Sequence, residues 1–164
     1  MSKWELPDDE LKMLDKLAHI NLSYLLVAGL SSFYFGTYIL SQSSPNLILG
    51  ISLIGFSGSA VAALTSCLNR YSTGFEKEVG NETYPPDIEK GKQKFNRRFA
   101  RWLFIRPFLG AIVAPVFISG LQFFIESPEQ YLESKLGFTS FMAGLLAKSV
   151  LELIKGLFKN VFKG

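Results

Sequence analysis

The side chains of this chain whose spacing could do chemistry are chiefly two groups of basic residues. Lys148, Glu152, Lys155, Lys159 and Lys163 recur at intervals of three or four residues. At about 100° per residue a helix confines them to an arc of roughly 80°. The same face continues backward through Gly144, Phe141 and Gly137. A second basic group lies earlier, in Lys90, Lys92, Lys94, Arg97, Arg98 and Arg101, interleaved with Phe95 and Phe99. Arg106 stands alone in an otherwise uncharged stretch. Lysines turned to a water-filled passage favour anions, and lysines turned to a bilayer surface meet headgroup phosphates.

No catalytic constellation accompanies these cations. His19 is the single histidine and Cys67 the single cysteine, so the chain can form no internal disulfide and no paired-thiol site. His19 reads as an interfacial residue and Cys67 as a small apolar one. There is no glycine-rich phosphate loop of the Walker or dinucleotide kind. The expectation is a non-enzyme with no cofactor and no metal.

The elements that must position the cations follow from where charge is missing. Fifty consecutive residues, Ile20 to Asn69, include no Asp, Glu, Lys or Arg. That is far more than a soluble helix or strand needs, and it matches two spans of about 20 residues joined by a turn. The fold class is therefore all-α, a polytopic integral membrane protein with four transmembrane helices and short amphipathic cytoplasmic helices. The predicted organisation is one membrane domain over 1–164. An amphipathic N-terminal helix covers 1–19, spans cover 20–40 and 47–68, and a loop and basic helix cover 70–101. A third span covers 102–125, and a fourth covers 136–162 with an amphipathic extension. Five acids among the first twenty residues, Glu5, Asp8, Asp9, Glu10 and Asp15, are the reverse of a cleavable signal's basic start.

Several local features refine this outline. Asp8 or Asp9 is placed to cap the first helix. Ile88 to Arg101 reads as a basic helix with Ile88, Phe95, Phe99 and Trp102 on one face. Pro107 falls near the start of the third span and Pro115 in its middle, where a kink is expected. Small residues (Gly55, Gly58, Ser59, Ala62, Ala63 and Ser66 in the second span, Gly110, Ala111 and Ala114 in the third) allow the close backbone approach that packs helices in lipid.

Orientation follows from lysine and arginine near the span ends. The N-terminal segment, the 70–101 segment and the C-terminal end are basic. The two other connectors hold only Lys135 against Glu126, Glu129 and Glu133. Four crossings place all three basic regions, and both termini, in the cytoplasm. The basic helix beside the third span then reads as an anionic-lipid contact and not a nucleic-acid one.

The tail admits three arrangements: a span whose lysines snorkel, a helix lying in the interface, or a helix lining a pore or cavity. In the last, Gly137, Gly144, Lys148, Glu152, Lys155 and Lys159 do the lining. Arg106 is a candidate buried charge, with Glu152 as a candidate partner. Two functional classes fit: an oligomeric channel or membrane-permeabilising protein with the fourth helix near the axis, and a membrane anchor or scaffold whose cytoplasmic helices dock a protein partner. The expected partners are the bilayer, anionic lipids and further copies of the chain.

Overall fold

The computed structural model describes residues 6–42, 46–76, 94–122, 133–149 and 151. They form four helices: α1 (Asp8–Ser41), α2 (Leu47–Thr73), α3 (Arg97–Gln122) and α4 (Glu133–Leu145). Among the described residues the β pairing is confined to an isolated parallel bridge between Phe75 and Phe95. α1, α2 and α3 are long and apolar enough to cross a membrane. α4, with 13 residues, rises about 20 Å, short of the roughly 30 Å of hydrocarbon.

The expected N-terminal helix and first span are one continuous helix of 34 residues. Its length of about 51 Å exceeds the hydrocarbon thickness, so its charged first turns extend beyond the apolar stretch. The helix starts differently from the expectation. Pro7 is the cap residue, with no side-chain cap bond. Its carbonyl accepts from the Glu10 and Leu11 amides, each at 3.0 Å. Asp8, Asp9 and Glu10 occupy the first turn, where their charge complements the helix dipole.

α2 is the central helix and touches the other three. Its buried residues are mostly small: Gly50, Gly55, Ser57, Gly58, Ser59, Ala60, Ala63 and Cys67. They let neighbouring backbones come close. A Cβ on Gly29 of α1 would lie 3.1 Å from the Ala60 Cβ. A Cβ on Gly55 would lie 2.6 Å from the Gly110 carbonyl of α3. Outward, α1 shows Leu26, Leu30 and Tyr34, and α3 shows Phe104, Phe108 and Ile112, all exposed. A bundle in lipid needs no polar exterior, and backbone approach rather than apolar burial associates its helices.

α2 ends at Gly74, whose φ of +96° suits a residue without Cβ. The chain then pairs Phe75 with Phe95, through Phe95 N–H to Gly74 O at 2.9 Å and Glu76 N–H to Phe95 O at 3.0 Å. α3 begins directly after this bridge. The basic helix expected over Ile88–Arg101 is therefore not helical at 94–96, and Ile88 lies outside the described residues. Asn96 caps α3: its Oδ1 accepts from the Phe99 amide at 2.8 Å, three residues on. Phe95 and Phe99 are buried while Trp102 is exposed, and Phe95 precedes the first turn of α3. Counted from Arg97, Pro107 is well inside the helix, and it is fully buried.

α4 begins at Glu133, and its backbone departs from helix at Leu146 before helical residues resume at 147. The rest of the expected fourth span, with Glu152, Lys155 and Lys159, lies outside the described residues apart from Leu151.

Candidate functional site

The helices bring two cations to one place. α3 carries Arg106 to the side of α2, where its Nη1 donates to Ser66 Oγ at 2.7 Å. Ser66 in turn donates to the Ala62 carbonyl at 2.8 Å. Nearer the start of α2, Ser59 Oγ donates to the Arg106 carbonyl at 2.9 Å. The two serines hold both ends of the residue, and Arg106 is half-buried. Arg106 lies nine positions beyond the first residue of α3, or about 14 Å of rise.

Beside it lies a cavity of about 180 Å³ lined by Ser59, Trp102, Arg106, Leu109, Gly144, Leu145, Ala147, Lys148 and Leu151. Lys148 contributes the second cation from beyond α4, and it is exposed. Among the described residues the lining contains no carboxylate. Gly144 is buried against the Gly55 backbone, which draws the end of α4 onto α2 and brings Lys148 beside α3. Arg106 and Lys148 are the cationic residues of this lining, and the Ser59 hydroxyl is already committed to the Arg106 carbonyl.

No family model, curated protein or solved structure matches this chain. The chemistry therefore rests on geometry.

The other residues expected at a site are scattered. Gly137 is half-buried and borders a second, apolar cavity of about 690 Å³ between α1, α2 and α4, with Leu30, Phe33, Leu40, Val61 and Phe141. Gly137 and Lys148 thus border different cavities, while Gly144 lines the cavity of Lys148 and also packs against Gly55 of α2. Among the basic residues expected to meet anionic lipid, Arg98 and Arg101 are exposed and Lys94 is half-buried. Arg97 instead faces Glu10 of α1 at 3.7 Å and donates to Met13 Sδ at 3.4 Å. Lys90, Lys92 and the Arg106 partner expected at Glu152 lie outside the described residues. Among the described residues, no cluster of three His, Cys, Asp or Glu could hold a metal ion.

A second constellation ties the charged end of the bundle together. Tyr71 Oη donates to Asp15 Oδ1 at 2.8 Å, and the His19 ring meets the Tyr71 ring edge-on at 5.6 Å. Tyr71, Phe75, Phe95 and Phe99 continue it as a run of edge-to-face rings. The Arg70 guanidinium sits 3.7 Å from the Phe99 ring centre, a cation–π contact. Asn96 Nδ2 donates to Glu76 Oε1 at 2.9 Å. Sequence reasoning did not find this cluster, because its members are far apart in the chain. One local signal was present: an asparagine three residues before Phe99, at the head of an apolar run, is a cap pattern.

Proposed function

We propose that this chain is a small multi-pass membrane protein that assembles into an oligomeric, anion-preferring channel or permeabilising protein. The observation that supports this reading is the meeting of Arg106 and Lys148 on one cavity between apolar helices. Ionisable groups among spanning helices are costly, and they are kept where water, an anion or a counter-charge reaches them. Here Arg106 and Lys148 are the ionisable residues of the described lining, and basic residues along a permeation path favour anions. In this reading the α3–α4 side faces the oligomer axis, the chain crosses four times and both termini are cytoplasmic. The test is chloride flux from phosphatidylcholine liposomes that contain the purified protein. Wild-type protein should release chloride, Arg106→Gln should slow that release, and absence of flux from a folded oligomer sinks the channel reading.

One observation favours a second reading, that of a membrane anchor or scaffold. The Asp15–Tyr71 bond and the Phe75–Phe95 bridge lock the charged ends of α1, α2 and α3 into one unit. A rigid base of this kind is suited to present a cytoplasmic surface to a partner protein. A folded oligomer without flux, whose assembly survives Arg106→Gln, would leave this reading standing.

A further inference from the structure

The larger cavity, about 690 Å³ between α1, α2 and α4, is apolar apart from three hydroxyl groups. Its described lining contains no Asp, Glu, Lys, Arg or His. Two of the hydroxyls are committed to their own helix. Thr37 Oγ1 donates to the Phe33 and Tyr34 carbonyls at 3.0 and 2.9 Å, and Ser41 Oγ donates to the Tyr38 carbonyl at 2.8 Å. Ser57 differs. It is 3% exposed, yet its Oγ makes no hydrogen bond. Among the described residues, no fully enclosed side-chain nitrogen or oxygen lacks a partner. The Ser57 oxygen is therefore not sealed in by its neighbours, and the cavity is the space that Ser57 lines.

The packing of α1 on α2 gives the depth of this hydroxyl. Gly36 faces Ile54 and Gly29 faces Ala60. Ser57 falls midway between Ile54 and Ala60, level with Phe33, and so about 12 Å along α1 from Ser41. A water is poorly held there. Buried waters make about three hydrogen bonds each, and the lining around Ser57 includes Phe33, Val61 and Phe141. A hydrocarbon chain would fill the volume but leave the hydroxyl unmatched, which is costly. A molecule with an apolar body and one accepting oxygen satisfies both. The lack of charge in the lining selects a neutral one, and the volume falls within the range of about 300–1,000 Å³ of small-molecule sites. Leu30, Phe33 and Phe138 line the cavity and are also exposed on the outside of the bundle, which gives a molecule dissolved in the bilayer a way in.

We propose that this cavity binds a small neutral amphiphile from the bilayer, its oxygen accepting from Ser57 Oγ and its apolar body lying among Phe33, Val61 and Phe141. The site is separate from Arg106 and stands whether or not the protein conducts.

The test is photolabelling of the full-length protein in phosphatidylcholine vesicles with a diazirine-bearing octanol, the labelled residues being located by peptide mass spectrometry. Wild-type protein should be labelled on the cavity lining, and 1-octanol should compete better than octane at equal membrane concentration. Ser57→Ala removes an unpaired hydroxyl and should fold at least as well as wild type. In it, the concentration of 1-octanol that halves labelling should rise about fivefold, the scale of one neutral hydrogen bond. Gly137→Leu should abolish labelling by filling the space. A Cβ at Gly137 meets only Ile54 and Leu40, at 3.7 and 3.8 Å, and if the larger side chain prevents folding, Ser57→Ala alone decides. Competition by 1-octanol unchanged in Ser57→Ala overturns the proposal. So does equal competition by octane, which identifies a plain acyl-chain groove, and so does labelling confined to residues outside the lining. Chloride flux bears on the channel reading alone.

Discussion

Gly144 lies on the backbone of Gly55, so that a Cβ at Gly144 would stand 2.8 Å from the Gly55 Cα. Rigid backbone, not the end of a flexible side chain, occupies that space. The same Gly55 meets Gly110 of α3, and one residue of α2 therefore sets the approach of two helices. Gly144→Ala should destabilise the bundle by about 1–3 kcal/mol, the range for overpacking a close contact. At Gly120 of α3 an added Cβ would meet nothing within 4 Å among the described residues, and Gly120→Ala should be neutral or slightly stabilising. Thermal unfolding in detergent, followed by circular dichroism, compares the two.

The Arg106–Ser66 bond joins α3 to α2 through a charged donor. A double-mutant cycle with Ser66→Ala and Arg106→Gln should give a coupling of about 1 kcal/mol, the scale of interhelical hydrogen bonds among membrane helices. The measurement is unfolding in mixed micelles. A coupling near zero would mean that Arg106 turns away from α2 in the folded protein.

Asn96 holds two functions at once, a cap for α3 and a bond to Glu76. Asn96→Ala should cost about 1 kcal/mol and speed hydrogen exchange at the Phe99 amide. Asn96→Asp retains the accepting oxygen but loses the donor to Glu76, so it should restore protection at Phe99 while leaving the Phe75–Phe95 base loosened. Exchange measured residue by residue separates the two effects.

The four-crossing arrangement is tested by labelling. In a Cys67→Ala background, Lys3→Cys and Lys163→Cys should react with an impermeant maleimide from the same side of sealed vesicles, and Ser43→Cys from the other. Lys163→Cys reacting from the opposite side to Lys3→Cys would reduce the chain to three crossings, with α4 and the C-terminus on the far side.

How much of this was legible depended on the range of the interaction. The apolar stretches of α1, α2 and α3 could be read because length and absence of charge are local properties. The small residues Gly55, Gly110 and Ala114 could be read as packing surface from residue size, but their pairing could not. Gly144 shows the limit. On the helix wheel it shares a face with Lys148, and in the structure it lines one cavity with Lys148; its close contact with Gly55 of α2 could not be read from the wheel. The start of α3 was misplaced for a related reason. The Phe75–Phe95 bridge competes with helix across 94–96, and a pairing between residues about twenty positions apart leaves no mark in either segment alone.

The sequence by itself determined that the chain is helical, that its long uncharged stretches can cross a bilayer and that its net charge is slightly positive. Those properties follow from composition along a single helix, where the cost of placing charge in hydrocarbon does the sorting. Tertiary structure alone decided which groups meet: Arg106 with Ser66 and beside Lys148, Asp15 with Tyr71, Gly55 with both Gly110 and Gly144. Such meetings depend on the rotation and depth at which helices pack. In a bundle without polar exterior constraints, backbone fit between small residues sets both.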